Sequence, residues 1–89
     1  MYNIDFTGTG RMTLNNFSTE QQKQILYALD KIVSKYDANA PDTSKVRDLG
    51  DGFYVVLINY TIRVIAKIQD NKFNIIDVFN HVRPESLAL

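Results

Sequence analysis

From Thr61 to Gln69 the chain reads Thr-Ile-Arg-Val-Ile-Ala-Lys-Ile-Gln, an alternation of period two that suits a half-buried β-strand. Ile62, Val64, Ala66 and Ile68 share one face, and Arg63, Ile65 and Lys67 share the other. The apolar face has to be covered by another layer, while the cationic face reaches solvent or a ligand. On spacing alone, cations on the open side of such a strand are ordinarily solvated surface that also discourages aggregation.

The neighbouring runs extend this strand into a sheet. Lys45 to Leu49 can extend briefly, Gly50-Asp51-Gly52 forms a tight turn, and Phe53 to Ile58 is apolar on both faces, as a central strand should be. Asn59-Tyr60 turns the chain into the Arg63 strand, and Asp70-Asn71-Lys72 closes a second hairpin into Phe73 to Phe79. The length of that last loop sets which residues surround Arg63, because a one-residue slip exchanges the faces. A two-residue loop at Asp70-Asn71 puts the Asp77 carboxylate on the apolar face opposite Val64, a costly place for a charge. A three-residue loop, Asp70 to Lys72, puts Phe73, Ile75, Asp77 and Phe79 on the face of Arg63 and Lys67 and is the register expected. Asp77 then stands opposite Ile65, within pairing distance of either cation.

The first half of the chain reads as a strand followed by helices. Tyr2, Ile4 and Phe6 alternate with Asn3 and Asp5, and Thr7-Gly8-Thr9-Gly10 reads as a flexible turn. A short helix is expected over Arg11 to Phe17, anchored by Met12 and Leu14. Ser18 has the place of an N-cap, with Gln21 completing a capping box. Beyond it Ile25, Leu29, Ile32, Val33 and Tyr36 recur at helical spacing, which predicts a main helix over Thr19 to Tyr36. Asp37 to Ser44 is a polar loop between the helices and the sheet.

With 89 residues the chain is expected to form one domain with one modest core. It has no cysteine, so disulfides and thiolate chemistry are out of reach. Ten basic residues balance ten acidic ones, and any nucleic-acid binding would have to rest on local clustering of charge. No apolar run is long enough for a membrane span, and Met1 to Phe6 lacks the basic-then-apolar order of a signal peptide, so a cytoplasmic protein is expected.

The order strand, two helices, loop, three-strand meander resembles the RelE/ParE toxin superfamily of type II toxin–antitoxin systems. The residues that carry the likeness are Lys45-Val46-Arg47-Asp48-Leu49-Gly50, Gly52-Phe53-Tyr54, Ile62-Arg63-Val64-Ile65-Ala66, the acidic turn Asp70-Asn71-Lys72 and the closing His81-Val82-Arg83. The resemblance spans nearly the whole chain. It implies an α+β fold of order β-α-α-β-β-β, with two N-terminal helices packed on a mainly antiparallel sheet. It also implies a toxin held inactive by a cognate antitoxin.

In the RelE-like branch, that toxin enters the ribosomal A site and cleaves mRNA without metal or cofactor. Arg63 aligns with the strand arginine of this branch and Arg83 with its C-terminal arginine, both suited to phosphate. His81 is the candidate acid or base, since its ordinary pKa lies near neutrality. Lys67, Lys45 and Arg47 are the cations expected to hold the substrate strand. Two positions depart from the branch: the strand that carries two lysines there reads Tyr54-Val55-Val56-Leu57 here, and the C-terminal tyrosine position falls at or near Leu89. A ParE-like toxin that binds DNA gyrase without nuclease activity, or a degenerate non-toxic module that binds a partner peptide, therefore stands beside the ribonuclease reading.

Overall fold

The computed structural model of the chain describes residues 2–37, 39 and 45–81. Strand β1 (Asn3–Phe6) leads into helices α1 (Gly8–Asn15) and α2 (Thr19–Ser34). Strands β2 (Val46–Gly50), β3 (Phe53–Leu57), β4 (Ile62–Gln69) and β5 (Lys72–Asn80) follow. They form one five-stranded sheet of order β1-β5-β4-β3-β2, in which β1 runs parallel to β5 and every other pairing is antiparallel. The α+β class and the helix-covered sheet are as expected. The sheet has one strand more than the order β-α-α-β-β-β, because Val46–Gly50 pairs with β3 as an edge strand, with a register shift between Asp48 and Gly50.

Helix α2 forms for the local reasons its sequence announces. Ser18 Oγ accepts from Gln21 N at 3.1 Å, and Gln21 Oε1 accepts from Ser18 N at 3.2 Å, so the capping box closes in both directions. Ile25, Leu29 and Val33 are buried along one stripe. They pack in a single cluster with Val56, Ile62, Val64 and Ala66 of the central strands and Phe73, Ile75 and Val78 of β5.

The helix ends at Ser34, two residues short of the expected Tyr36. Tyr36 instead enters an aromatic cluster, with edge-on contacts to Tyr2 at 5.2 Å, to Phe73 at 5.0 Å and to Tyr54 at 6.4 Å between ring centroids. Desolvation there, with lesser effects from Tyr54, Tyr2 and Asp48, pushes its phenol up to about 12 from its ordinary value of 10.0. Between those two values the folded chain holds a proton that the unfolded chain has released, so stability must fall as pH rises through this interval. Urea melts at pH 9 and pH 11 should show a loss that the Tyr36→Phe variant shows to a smaller extent.

Most of the Asp37–Ser44 loop, with Val82, Arg83 and the Leu89 position, lies outside the described residues. Within them, two further expectations are corrected, one at the start of α1 and one at the β4–β5 hairpin.

Thr7-Gly8-Thr9-Gly10 is not a free turn. Thr7 is the N-cap of α1, its hydroxyl accepting from Gly10 N at 3.0 Å, and the helix occupies Gly8–Asn15 rather than Arg11 to Phe17. Leu14 anchors it at 4% exposure, whereas Met12, the other expected anchor, is 70% exposed. Past the end of β1, α1 becomes the neighbour of β5. The Thr7 amide and hydroxyl both donate to Ile75 O, at 3.0 and 3.1 Å, and Val78 N donates to Thr13 Oγ1 at 2.9 Å.

The second correction concerns the β4–β5 hairpin. Gln69 pairs with Lys72, so the loop has two residues, Asp70 and Asn71, and not three. Both have left-handed backbones, with φ of 55° and 60°, the twist that two-residue hairpins prefer. Phe73 and Ile75 accordingly face the core opposite Ile68 and Ala66. Carried on, this register would bury Asp77. A β-bulge prevents it: Ala66 pairs with Ile75 but Ile65 with Asp77, which leaves Ile76 as an extra residue. The bulge returns Val78 to the core and Asp77 to the open face. The expected position of Asp77 opposite Ile65 is thus correct, although a different device produces it.

Candidate functional site on the open sheet face

The helices cover one face of the sheet. Among the described residues the other face carries no helix, and it is built from Lys45 and Arg47, Phe53, Val55 and Leu57, Arg63, Ile65 and Lys67, then Asp77 and Phe79. The register arranges these residues in cross-strand rows. Arg47, Val55, Ile65 and Asp77 form one row. Leu57, Arg63 and Phe79 form the next, which Lys45 joins because its carbonyl accepts from Leu57 N at 2.8 Å.

Arg63, Arg47, Asp48, Val55 and Leu57 line an open groove of about 500 Å³. It exists because β3 contributes two aliphatic side chains between longer ones on β2 and β4. Arg63 is half-buried there, and its Nε is buried without a hydrogen-bond partner among the described residues. Leaving a donor of a charged group unsatisfied costs on the order of 1–3 kcal/mol or more. An anionic ligand with two oxygens would remove that cost, since a guanidinium binds such groups bidentately. The cross-strand salt bridge that spacing suggested for Arg63 or Lys67 with Asp77 does not form.

The other expected residues are distributed over the same face. Lys67 is four residues along β4 from Arg63, or roughly 13 Å at strand rise. Its Nζ lies 5.4 Å from the centre of the Phe53 ring. It lines a separate hollow of about 340 Å³ with Thr7, Gln69, Asp70, Lys72, Asn74 and Ile76. His81 follows β5 directly, and its amide donates to Thr61 O, so strand pairing continues one step past Asn80. Alternation sets it on the side of Phe79, diagonal to Arg63. Lys45 and Arg47 are exposed at the β2 edge. The sequence reading missed Val55 and Leu57 as the groove floor, a role visible only once Arg47 is known to pair with Val55. No group of three or more metal-ligating side chains occurs among the described residues, and none of their helices is long and apolar enough to cross a membrane.

Two capped helices on a five-stranded mixed sheet, with Arg47, Asp48 and Arg63 lining a groove on the uncovered face, define a small α+β domain. No protein-family model matches the chain, and no curated protein matches it in sequence. Solved structures do match it. The isolated RelE toxin of E. coli superposes with a TM-score of 0.72 at 16% identity, covering 99% of this chain and 93% of that one. The RelBE2 toxin–antitoxin complex of Mycobacterium tuberculosis has a chain with a TM-score of 0.68 at 18% identity, covering 90% of this chain and 98% of its own. The YoeB–YefM complex of Staphylococcus aureus has one with a TM-score of 0.64 at 20% identity, covering 92% and 99% respectively. The chain has the RelE-like toxin fold.

Proposed function

We propose that this chain is the toxin of a type II toxin–antitoxin system, that it acts as a RelE-like, ribosome-dependent mRNA endoribonuclease, and that a cognate antitoxin protein holds it in check. The observation that carries the reading is Arg63, a half-buried guanidinium whose Nε has no partner among the described residues, set in a groove on the open face of a RelE-like fold. Metal-free cleavage of RNA needs a cation where charge develops on the phosphorane, a group to activate the ribose 2′-hydroxyl and an acid for the leaving oxygen. Arg63 serves as the cation, assisted by Arg83, and His81 as the acid. Lys45, Arg47 and Lys67 hold phosphates of the bound strand, on the same face and at both ends of it. The antitoxin partner is supported by the neighbours in the RelBE2 and YoeB–YefM structures, which are toxin–antitoxin complexes.

Induced expression tests this. Growth should arrest, mRNA should be cut within translated codons, and co-expression of the protein encoded by the adjacent gene should relieve both effects. Arrest with intact mRNA and damaged DNA would favour gyrase as the target and overturn the ribonuclease reading, and unimpeded growth would overturn the toxin reading altogether.

A further inference from the structure

We infer that Asp77 is the proton acceptor of the site, the group that activates the attacking ribose hydroxyl; the inference rests on the ribonuclease reading above. Asp77 is half-buried on the open face, opposite Ile65 and diagonal to Arg63. Among the described residues its carboxylate makes no hydrogen bond or ion pair. It is on this face only because of the bulge at Ile76, since the register set by the Asp70-Asn71 turn would have turned it into the core. The open face thus presents, on one diagonal, the Asp77 carboxylate and the Arg63 Nε, both without a hydrogen-bond partner among the described residues.

Asp77 and His81 lie on either side of Phe79, the residue paired with Arg63. Their backbones are roughly 13 Å apart along the strand. Side chains leaning inward from that distance can bracket one phosphodiester, whose in-line attacking and leaving oxygens each need a hydrogen bond of about 2.7 Å. The facing charged and titratable groups are Arg63 and Lys67 on the diagonals of β4, Arg47 at the far end of the same cross-strand row, and His81 on β5 itself.

The chemistry balances on these groups. The 2′-hydroxyl gives its proton to the Asp77 carboxylate while its oxygen forms a bond to phosphorus. Arg63 faces the charge on the resulting phosphorane. The bond from phosphorus to the 5′-oxygen then breaks, and that oxygen takes a proton from the His81 imidazolium. The products are a 2′,3′-cyclic phosphate and a 5′-hydroxyl.

The test is single-turnover cleavage of ribosome-bound mRNA by the full chain and by Asp77→Asn, across a range of pH. Cleavage should fall about 10²- to 10⁴-fold in the variant, as for loss of a general base. The acid limb of the rate profile should disappear, while mRNA binding stays equal or tightens because a negative charge is gone. The Asp77→Ala variant should regain part of the rate when formate is added, which separates a missing base from a damaged fold. If Asp77→Asn cleaves within threefold of wild type and keeps the acid limb, Asp77 is not the base. If wild type leaves ribosome-bound mRNA intact, the ribonuclease reading fails, and this inference with it.

Discussion

Replacing Arg63 with methionine should lower mRNA cleavage by about 10²- to 10³-fold, the loss typical when one preorganised donor to a developing oxyanion is removed. The same change should leave the melting temperature unchanged or raise it. Methionine preserves most of the aliphatic stem of Arg63, which stands in register with Leu57 and Phe79, so little burial is lost. What disappears is a buried donor with no acceptor among the described residues, a feature that weakens the folded state. An arginine kept for a structural ion pair would behave in the opposite way, losing stability and sparing activity. Primer extension on ribosome-bound mRNA, with thermal melts of the same preparations, separates the two. A variant that melts several degrees lower and cleaves normally would remove Arg63 from the site.

The largest effect on stability is expected at Gly10. A Cβ there would stand 2.1 Å from Ile75 O and 2.8 Å from its carbonyl carbon, contacts that real side chains do not make. The obstacle is backbone, and that carbonyl already accepts from the Thr7 amide and hydroxyl. Gly10→Ala therefore has to push α1 away from β5, strain the bulge and loosen the N-cap together. Overpacking of this kind costs on the order of 3 kcal/mol. For a chain of this size that corresponds to a drop of roughly 12–24 °C in melting temperature. Gly8 is the internal control: nothing lies within 4 Å of a Cβ built there, and Gly8→Ala should leave the melt close to wild type or slightly raise it. Equal melts for the two variants would mean that α1 does not dock on β5 as described.

Gly10 also shows how local reading fails. Two glycines within three residues lower helix propensity, so Thr7 to Gly10 reads as a turn. The glycine is required by a contact with a carbonyl at position 75, and no window along the sequence contains both partners. The hairpin at Asp70-Asn71 failed differently. Asp77 was correctly judged too costly to bury, but the remedy assumed was a longer loop. The fold uses a tight turn and moves the correction to Ile76, where α1 already occupies the edge of β5. The candidate site was partly legible for the same reasons. Arg63 stands out as a cation in an apolar alternation, whereas the groove around it depends on Arg47, Val55 and Arg63 coming together from three strands.

The sequence by itself determined that there is a capped amphipathic helix over Thr19 onward, a sheet built from the Lys45–Phe79 runs, and a β4 strand with an apolar and a cationic side. Those features follow from periodicity and capping, which act between residues two to four apart. Only the tertiary structure decided where α1 begins, which face Asp77 occupies and what surrounds Arg63. Each of those depends on pairings across long stretches of chain, such as Thr7 with Ile75, 68 residues away, and Thr13 with Val78, 65 residues away. The energy of such pairings exists only once the sheet has formed and the helix has docked against it.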